Sequence, residues 1–348
     1  MRLAVTIYDP NHVNPYGVEL ARLLSRLGWK ANLVCSEARQ NLPDGSESSP
    51  SALLAGPRPR ANIMKWLLMR LWGPVSVAMS PRSEALIVVW TRDFWDALVF
   101  AVRTLVGGKT FFIRHNPPSV RRRRGLGGFG EGILARTAVV IVHSQWLAEQ
   151  TESSARKVRV ADHPPYSVSR DLVQSGKRDE PPGSCAVVGF VGSLRPDKGV
   201  ADLKLISEAS SSEWILMYMG PADESGLSKL RAELSPREVR ALNAGSTPTD
   251  GELAQGLKSC SLVVAPYRGV TVSGSINLAF AVGCPVVGYD SRGVRDILAH
   301  SSRLSGPKEL GEAIDSFLRE PWDAFTRTYE EGSLAAEESW ARVLGELA

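Results

Sequence analysis

At 348 residues the chain is long for one hydrophobic core and comfortable for two domains of ordinary size. Its 43% apolar and 22% charged residues are those of a globular protein, and a net charge of +4 is too mild to indicate nucleic acid. Cys35, Cys185, Cys260 and Cys284 are too scattered for a disulfide or metal framework, MRLAVTIYDPNH is no signal peptide, and no apolar run nears the ~20 residues of a membrane span, so a cytoplasmic protein is expected.

Arg2–Tyr8, rich in β-branched residues, reads as a first strand. After the loop Asp9–Gly17, Val18–Leu27 has leucines three and four apart, and Gly28 ends it as a helix C′ residue. Ala31–Cys35 is the next strand, so the chain opens βαβ and its first loop lies where open α/β sheets bind ligands. Ser36–Arg60, rich in Ser, Pro and Gly, predicts an exposed loop. Asn62–Met79 predicts an apolar helix with two cations and two tryptophans, packed on the core or lying on a membrane surface. Ala85–Trp90 is a strand, Phe94–Leu105 a helix, and Thr110–Arg114 a strand ending in His115-Asn116-Pro117-Pro118. Arg121–Arg124 is a basic loop, solvated or anion-seeking, without the aromatic interleaving of a nucleic-acid binder. Glu131–Arg136 begins a short helix, Ala138–Val142 is a strand, Ser144 can N-cap Gln145–Gln150, and Val158–Val160 is the last strand of this half. From His163 to Ser184 the composition marks a domain boundary.

The second half restarts with the strand Ala186–Val191, the loop Gly192–Gly199 and the helix Val200–Ala209. Trp214–Met219 is a strand, Leu227–Leu234 a helix, and Asp250–Lys258 a helix capped by Thr249 or Asp250. Leu262–Ala265, the small-residue loop Gly269–Ser275, the helix Ile276–Val282 and the strand Pro285–Tyr289 make one βαβ unit. Gly293–Leu298 predicts the start of a helix, Glu309–Arg319 another, and Ala335–Leu347 an amphipathic helix with Trp340 on its apolar face. Strands and helices alternate in both halves, which predicts two parallel doubly wound sheets.

Three places carry chemistry. The Gly269–Ser275 loop opens a helix, whose free N–H groups and dipole can hold a phosphate; an ordinary Ser N-cap is the plain alternative. Arg195 and Lys198, three apart between Gly192 and Gly199, can grip one diphosphate together, or stand as a solvated basic pair. His115, at a strand's carboxyl end and held by two prolines, is a candidate acid, base or acceptor contact, or a loop histidine bonded to backbone. No Gly-x-Gly-x-x-Gly follows the first strand, which argues against a dinucleotide oxidoreductase.

VGFVGSLRPDKGVADL resembles the start of the donor-binding domain of GT-B fold glycosyltransferases. VAPYRGVTVSGSINLAFAVGCPVVGYDSRGVRDIL is similar to the segment of that domain ending in a Gly-x-Pro-Val-Val turn. The Asn14–Tyr16 loop, His115-Asn116 and His143-Ser144 fit a bacterial subset that includes polysaccharide-assembly glycosyltransferases. The resemblance implies an α/β chain of two Rossmann-like domains facing a cleft. Residues 1–165 would bind acceptor, 166–184 link, 185–320 bind the nucleotide sugar, and 321–348 form a helix packing back toward the N-terminal domain. The donor would be a nucleoside-diphosphate sugar, held by Gly192, Arg195, Lys198, Thr271, Ser273, Gly274 and Ser275, with no other cofactor. No Asp-x-Asp pair is present, so metal-independent transfer is expected. Asn14, Tyr16 and Asn116 would lie on the acceptor side. The acceptor would be a saccharide, a lipid-linked saccharide or a small molecule, with peripheral contact of the basic, tryptophan-bearing N-terminal half at the inner face of a membrane. No nucleic-acid partner is expected.

One departure stands out. The large retaining subset carries two glutamates eight positions apart, and aligning on Gly283-x-Pro285 puts Val270 and Leu278 there. If transfer inverts configuration, a base must deprotonate the acceptor; His115 ranks first, with Asp9, His12 and Asp93 behind it. Two readings share the fold: a nucleotide-sugar epimerase, which would consume donor without acceptor, and a non-catalytic nucleotide- or sugar-binding protein.

Overall fold

A computed structural model describes residues 4–10, 15–35, 47–50, 63–81, 84–117, 126–167, 185–221, 223–243, 246, 248–268 and 273–345. The chain divides into two compact units, Met1–Pro164 with Ser333–Ala348, and Pro165–Gly332.

The strands of the first unit are β1 (Ala4–Asp9), β2 (Lys30–Cys35), β3 (Glu47–Pro50), β4 (Ala85–Val88), β5 (Thr110–Ile113), β6 (Val139–Val142) and β7 (Lys157–Val160). They form one sheet in the order β3-β2-β1-β4-β5-β6-β7, every pair parallel. The helices between them are α1 (Tyr16–Arg26), α2 (Ile63–Ala78), α3 (Phe94–Leu105), α4 (Leu126–Thr137) and α5 (Gln145–Glu152). Central strands such as ALIV and TFFI are buried along their whole length, as parallel strands covered by helices on both faces must be. Ser144 caps α5 by accepting the Leu147 N–H at 3.2 Å.

The second unit contains β8 (Ala186–Val191), β9 (Trp214–Met219), β10 (Val239–Ala241), β11 (Leu262–Ala265), β12 (Val286–Tyr289) and β13 (Arg303–Leu304). Its sheet runs β10-β9-β8-β11-β12-β13, again parallel throughout. Here lie α6 (Asp202–Ala209), α7 (Glu224–Leu234), α8 (Asp250–Lys258), α9 (Gly274–Ala281) and α10 (Pro307–Arg319). The capping box of α8 pairs Thr249 reciprocally with Glu252. The last helix, α11 (Tyr329–Gly345), has its residues from Ser333 onward in the first unit. There the fully buried Trp340 donates to the Asp162 carbonyl at 2.9 Å, and the Asp162 N–H donates to Ser339 Oγ at 2.9 Å. Each sheet is thus a doubly wound parallel sheet, as expected from the alternation of elements.

Three local expectations are corrected. Gly293–Leu298 is a series of turns, because the Ala299 and Thr326 amides bond across to Ala324 and Ile297 carbonyls and Leu298 bridges Phe325. Glu47–Pro50, inside a stretch read as loop, is a strand, and the short β10 and β13 were not expected. The helix expected from Glu131 starts at Leu126, glycines included. A Cβ on Gly130 would lie 3.1 Å from the Phe94 Cα, so that glycine lets α4 press against α3. The Arg121–Arg124 run and most of the expected linker, residues 168–184, lie outside the described residues.

Candidate functional site

Each sheet reverses its winding at one place, between β1 and β4 in the first unit and between β8 and β11 in the second. Ligand crevices of open α/β sheets lie at the carboxyl ends of strands at such points.

In the second unit, β8 runs out at Gly192, whose φ of +116° suits glycine and whose N–H bonds the Met219 carbonyl at 2.9 Å. The loop then makes a single 3₁₀ turn, Pro196–Lys198, closed by Gly199 at φ +69°. A Cβ on Gly199 would stand 1.9 Å from the Pro266 carbonyl oxygen, so only glycine lets this loop lie against the exit of β11. The Arg268 N–H adds a bond to the Asp197 carbonyl at 3.1 Å. Behind the loop, the buried Asp202 carboxylate takes the Arg268 guanidinium at 2.8 Å and the Tyr289 hydroxyl at 2.7 Å. These contacts fix the two loops to one another.

Lys198 is half-buried, with its Nζ 4.0 Å above the centre of the Tyr267 ring, and burial lowers its pKa. Burial pushes the Tyr267 phenol up; it donates to the Val191 carbonyl at 2.5 Å, and the Ser275 side chain bonds it too. The Lys198 Cε and Ser275 Oγ lie 3.7 and 4.0 Å from where a Gly192 Cβ would stand. Ser273 is buried and N-caps α9, accepting the Ile276 N–H at 3.4 Å, and Gly274 opens the helix beside the Tyr166 hydroxyl. Gly192, Lys198, Ser275 and the start of α9 therefore converge. Arg195 is held differently: both its Nε and Nη2 bond Asp197, at 3.0 and 2.7 Å, in a pair 60% and 56% exposed. Thr271 and Val270 lie outside the described residues, and Leu278, the other position aligned with a glutamate, is buried in α9.

In the first unit, Asp9 ends β1 buried and accepts the Gly17 N–H at 3.1 Å, capping α1 where Pro15 offers no side-chain oxygen. The fully buried Tyr16 meets His143, Oη to Nε2 at 2.8 Å. His143 Nδ1 lies 2.7 Å from the Ala161 carbonyl, which can only accept; Nδ1 therefore carries the proton and Tyr16 donates to Nε2. Burial depresses His143 to about 4. His163, with Nδ1 2.8 Å from the Pro164 carbonyl, is depressed to about 3 by burial and by the neighbouring His143. Both are neutral at pH 7. His115 is buried two residues past β5, stacked on Trp90 at 4.2 Å and 13°, with Tyr16 edge-on at 4.9 Å. Asn116 follows it, half-buried.

Asp93 is the N-cap of α3, accepting the Trp95 and Asp96 amides and pairing with Arg70 at 2.7 Å. Burial raises its carboxyl, but the Arg70 and Asp96 bonds outweigh that and leave it below its ordinary value. His12 and Asn14 lie outside the described residues. Sequence reasoning did not single out Tyr267, Asp202, Arg268, Trp90 or His163. Proximity to a strand's carboxyl end was the available signal for Tyr267, Trp90 and His163. Among the described residues no group of three or more His, Cys, Asp or Glu is placed to hold a metal ion.

A cavity of about 1170 Å³ opens at the amino ends of β8, β9 and β10, away from this edge. Its Arg237 stacks on Trp214 and donates to the Ser207, Ser210 and Ser212 carbonyls and the Ser207 hydroxyl.

Residues 185–320 match the family model described as glycosyl transferases group 1. No curated protein matches the chain. Among solved structures, sucrose-phosphate synthase from Thermosynechococcus elongatus is similar with a TM-score of 0.62 at 17% identity, over 99% of this chain and 95% of that one. Anabaena HepE, solved in complex with UDP-glucose, has a TM-score of 0.62 at 15% identity over 98% and 95%. AviGT4, a glycosyltransferase involved in avilamycin A biosynthesis, has 0.59 at 14% over 99% and 97%. At such identities the likeness is one of fold, and it spans both units. Residues 185–320 therefore match the group 1 glycosyl transferases, and the chain as a whole shares the two-domain GT-B fold of these solved structures.

Proposed function

We propose that the chain transfers a sugar from a nucleoside-diphosphate sugar to a saccharide, a lipid-linked saccharide or a small-molecule acceptor, without a metal ion. The observation that carries this reading is the convergence of Lys198, Ser275, the bare Gly192 backbone and the N-terminus of α9 at one switch point. Fixed donors and a cation there would stabilise charge that grows on the diphosphate as the glycosidic bond breaks. The bond from the anomeric carbon to the phosphate oxygen breaks, and the diphosphate leaves with the electron pair. The acceptor oxygen forms the new bond, and its proton passes to a base, with His115 first and Asp9, His12 and Asp93 behind it. Asn14, Tyr16 and Asn116 are assigned to the acceptor side. The solved complex of HepE with UDP-glucose, on a similar fold, supports a nucleotide-sugar donor. The reaction is placed in the cytoplasm, with peripheral contact at the inner face of a membrane; among the described residues no helix is long and apolar enough to cross one.

The test is a thermal-shift screen of nucleotide sugars with free nucleoside diphosphates as controls. Stabilisation by one donor, lost in Lys198→Ala, is expected, and turnover in that variant should fall roughly 10²-fold or more. Unchanged donor binding and rate in Lys198→Ala would remove the diphosphate model. Isomerised sugar from donor alone would favour an epimerase.

A further inference from the structure

Three successive residues leaving β11 meet three successive residues of the loop after β8, in antiparallel order. The Pro266 carbonyl oxygen would lie 1.9 Å from a Cβ on Gly199, Tyr267 lies beneath Lys198 with Nζ 4.0 Å from the ring centre, and the Arg268 N–H donates to the Asp197 carbonyl at 3.1 Å. The outer two contacts are made by backbone and fix the loop. The middle one is made by side chains, and it reaches the point where Gly192, Lys198, Ser275 and the start of α9 converge. The Tyr267 ring is buried and edge-on to Phe190, with centres 6.3 Å apart. Its hydroxyl donates to the Val191 carbonyl at 2.5 Å, and the Ser275 side chain bonds it. One residue thus touches the end of β8, the cation and the first turn of α9.

The charges explain why a ring stands there. Lys198 and the N-terminal end of α9 are both positive, and the fold brings them together. Asp197 attracts the lysine but is itself bonded by Arg195 at 2.7 Å. A carboxylate placed under Lys198 would hold it and also neutralise the charge that an anion needs. The face of an aromatic ring attracts the ammonium through its quadrupole and leaves the full positive charge for a ligand. The hydroxyl fixes the ring in turn, because parting it from the Val191 carbonyl would leave buried groups unpaired. We propose that Tyr267 is a positioning residue of the donor site, its ring setting Lys198 and its hydroxyl setting Ser275 where both meet the diphosphate. The ligand in this assignment is the one proposed above, so the role of Tyr267 rests on that donor reading.

The experiment uses the full chain, isotopically labelled at the lysine ε carbons and read by NMR, with calorimetric titration of UDP, GDP, ADP and dTDP. The Lys198 ε-methylene signal, identified by its loss in Lys198→Ala, should lie upfield of the other lysines because it sits over the face of a ring. It should stay upfield in Tyr267→Phe, which keeps the ring, and rejoin the others in Tyr267→Leu. Both variants lose the buried hydroxyl bond and should melt below wild type. Affinity for the nucleoside diphosphate that wild type binds should still fall less than about threefold in Tyr267→Phe, and about tenfold or more in Tyr267→Leu. A merely structural Tyr267 would give affinities that follow the melting temperatures. Equal affinities in the two variants, or a wild-type signal among the other lysines, overturns the assignment of Tyr267 alone. An upfield signal with none of the four diphosphates bound overturns the donor reading, and the positioning role with it. Should Tyr267→Leu not fold, the wild type decides: its Lys198 signal must move when the diphosphate binds, and a signal that stays in place overturns the assignment.

Discussion

Acidification from pH 7 to pH 5 is expected to destabilise the first unit by about 2 kcal/mol through each of His143 and His163. In the unfolded chain each imidazole has its ordinary value of 6.5. In the fold, burial brings His143 to about 4, and burial with the neighbouring His143 brings His163 to about 3. A folded value below the unfolded one means that the unfolded chain takes the proton first. Stability is therefore full above about pH 6.5 and drains away as pH falls toward the folded values. At pH 5 the folded imidazoles are still neutral, so the loss is set by the distance from 6.5 alone, at about 1.4 kcal/mol per unit. Urea unfolding of the wild type at the two pH values measures the total. His143→Gln and His163→Gln remove the titrating groups; each should cost roughly 1–3 kcal/mol at pH 7 for its broken hydrogen bond. Each should also flatten the change between pH 7 and pH 5 by about 2 kcal/mol. Carboxylates contribute equally to wild type and variants and cancel in the comparison. An identical pH dependence in the double variant would refute the claim that these buried rings are held neutral.

Two further outcomes concern the donor side. Gly199→Ala places a methyl 1.9 Å from the Pro266 carbonyl at a positive φ, so a loss of at least roughly 1–3 kcal/mol is expected; a melting curve superimposable on wild type would show the loop free to move. Asp197→Asn releases the Arg195 guanidinium from a pair so exposed that stability should change by less than about 1 kcal/mol. Affinity for a nucleoside diphosphate, read by calorimetry, should rise several-fold, and Arg195→Ala in the same background should erase the gain; no rise would leave Lys198 as the sole working cation of the loop.

Regular elements were legible wherever local pattern and tertiary demand agree. Phe94–Leu105, Trp214–Met219, Asp250–Lys258 and Leu262–Ala265 have the bounds that period and capping predict, because each has Gly, Pro or a polar cap at its ends. What escaped was decided by partners distant in sequence. Residues 297–299 abandon a helical pattern because residues 324–326 supply backbone partners, and nothing near Gly293 encodes that. The glycines of α4 read as loop until Phe94 is placed against Gly130. In the candidate site, the nearness of Lys198 to Gly192 could be expected from one loop. The stacking of Lys198 on Tyr267 joins residues 69 apart and could not. The pairing of Arg195 with Asp197, two residues on, was likewise not among the expectations drawn from its spacing to Lys198.

The charge states at the two sheet edges separate their proposed roles. At the edge of the second sheet the surplus is positive. Asp202 is spent on Arg268 and Tyr289, and Asp197 bonds Arg195 while also attracting Lys198, which leaves one cation in excess beside the dipole of α9. Such an arrangement suits an anion that gains charge as it departs. At the edge of the first sheet, His143 and His163 stay neutral and Tyr16 is committed to His143. A proton arriving on His115 would meet no neighbouring imidazolium to repel it, and the parallel Trp90 ring offers its π face to the cation formed. If His115 is the base, as proposed, histidines left protonated at this edge would oppose proton transfer to it, so the burial that makes the first unit acid-sensitive also suits that proposed role.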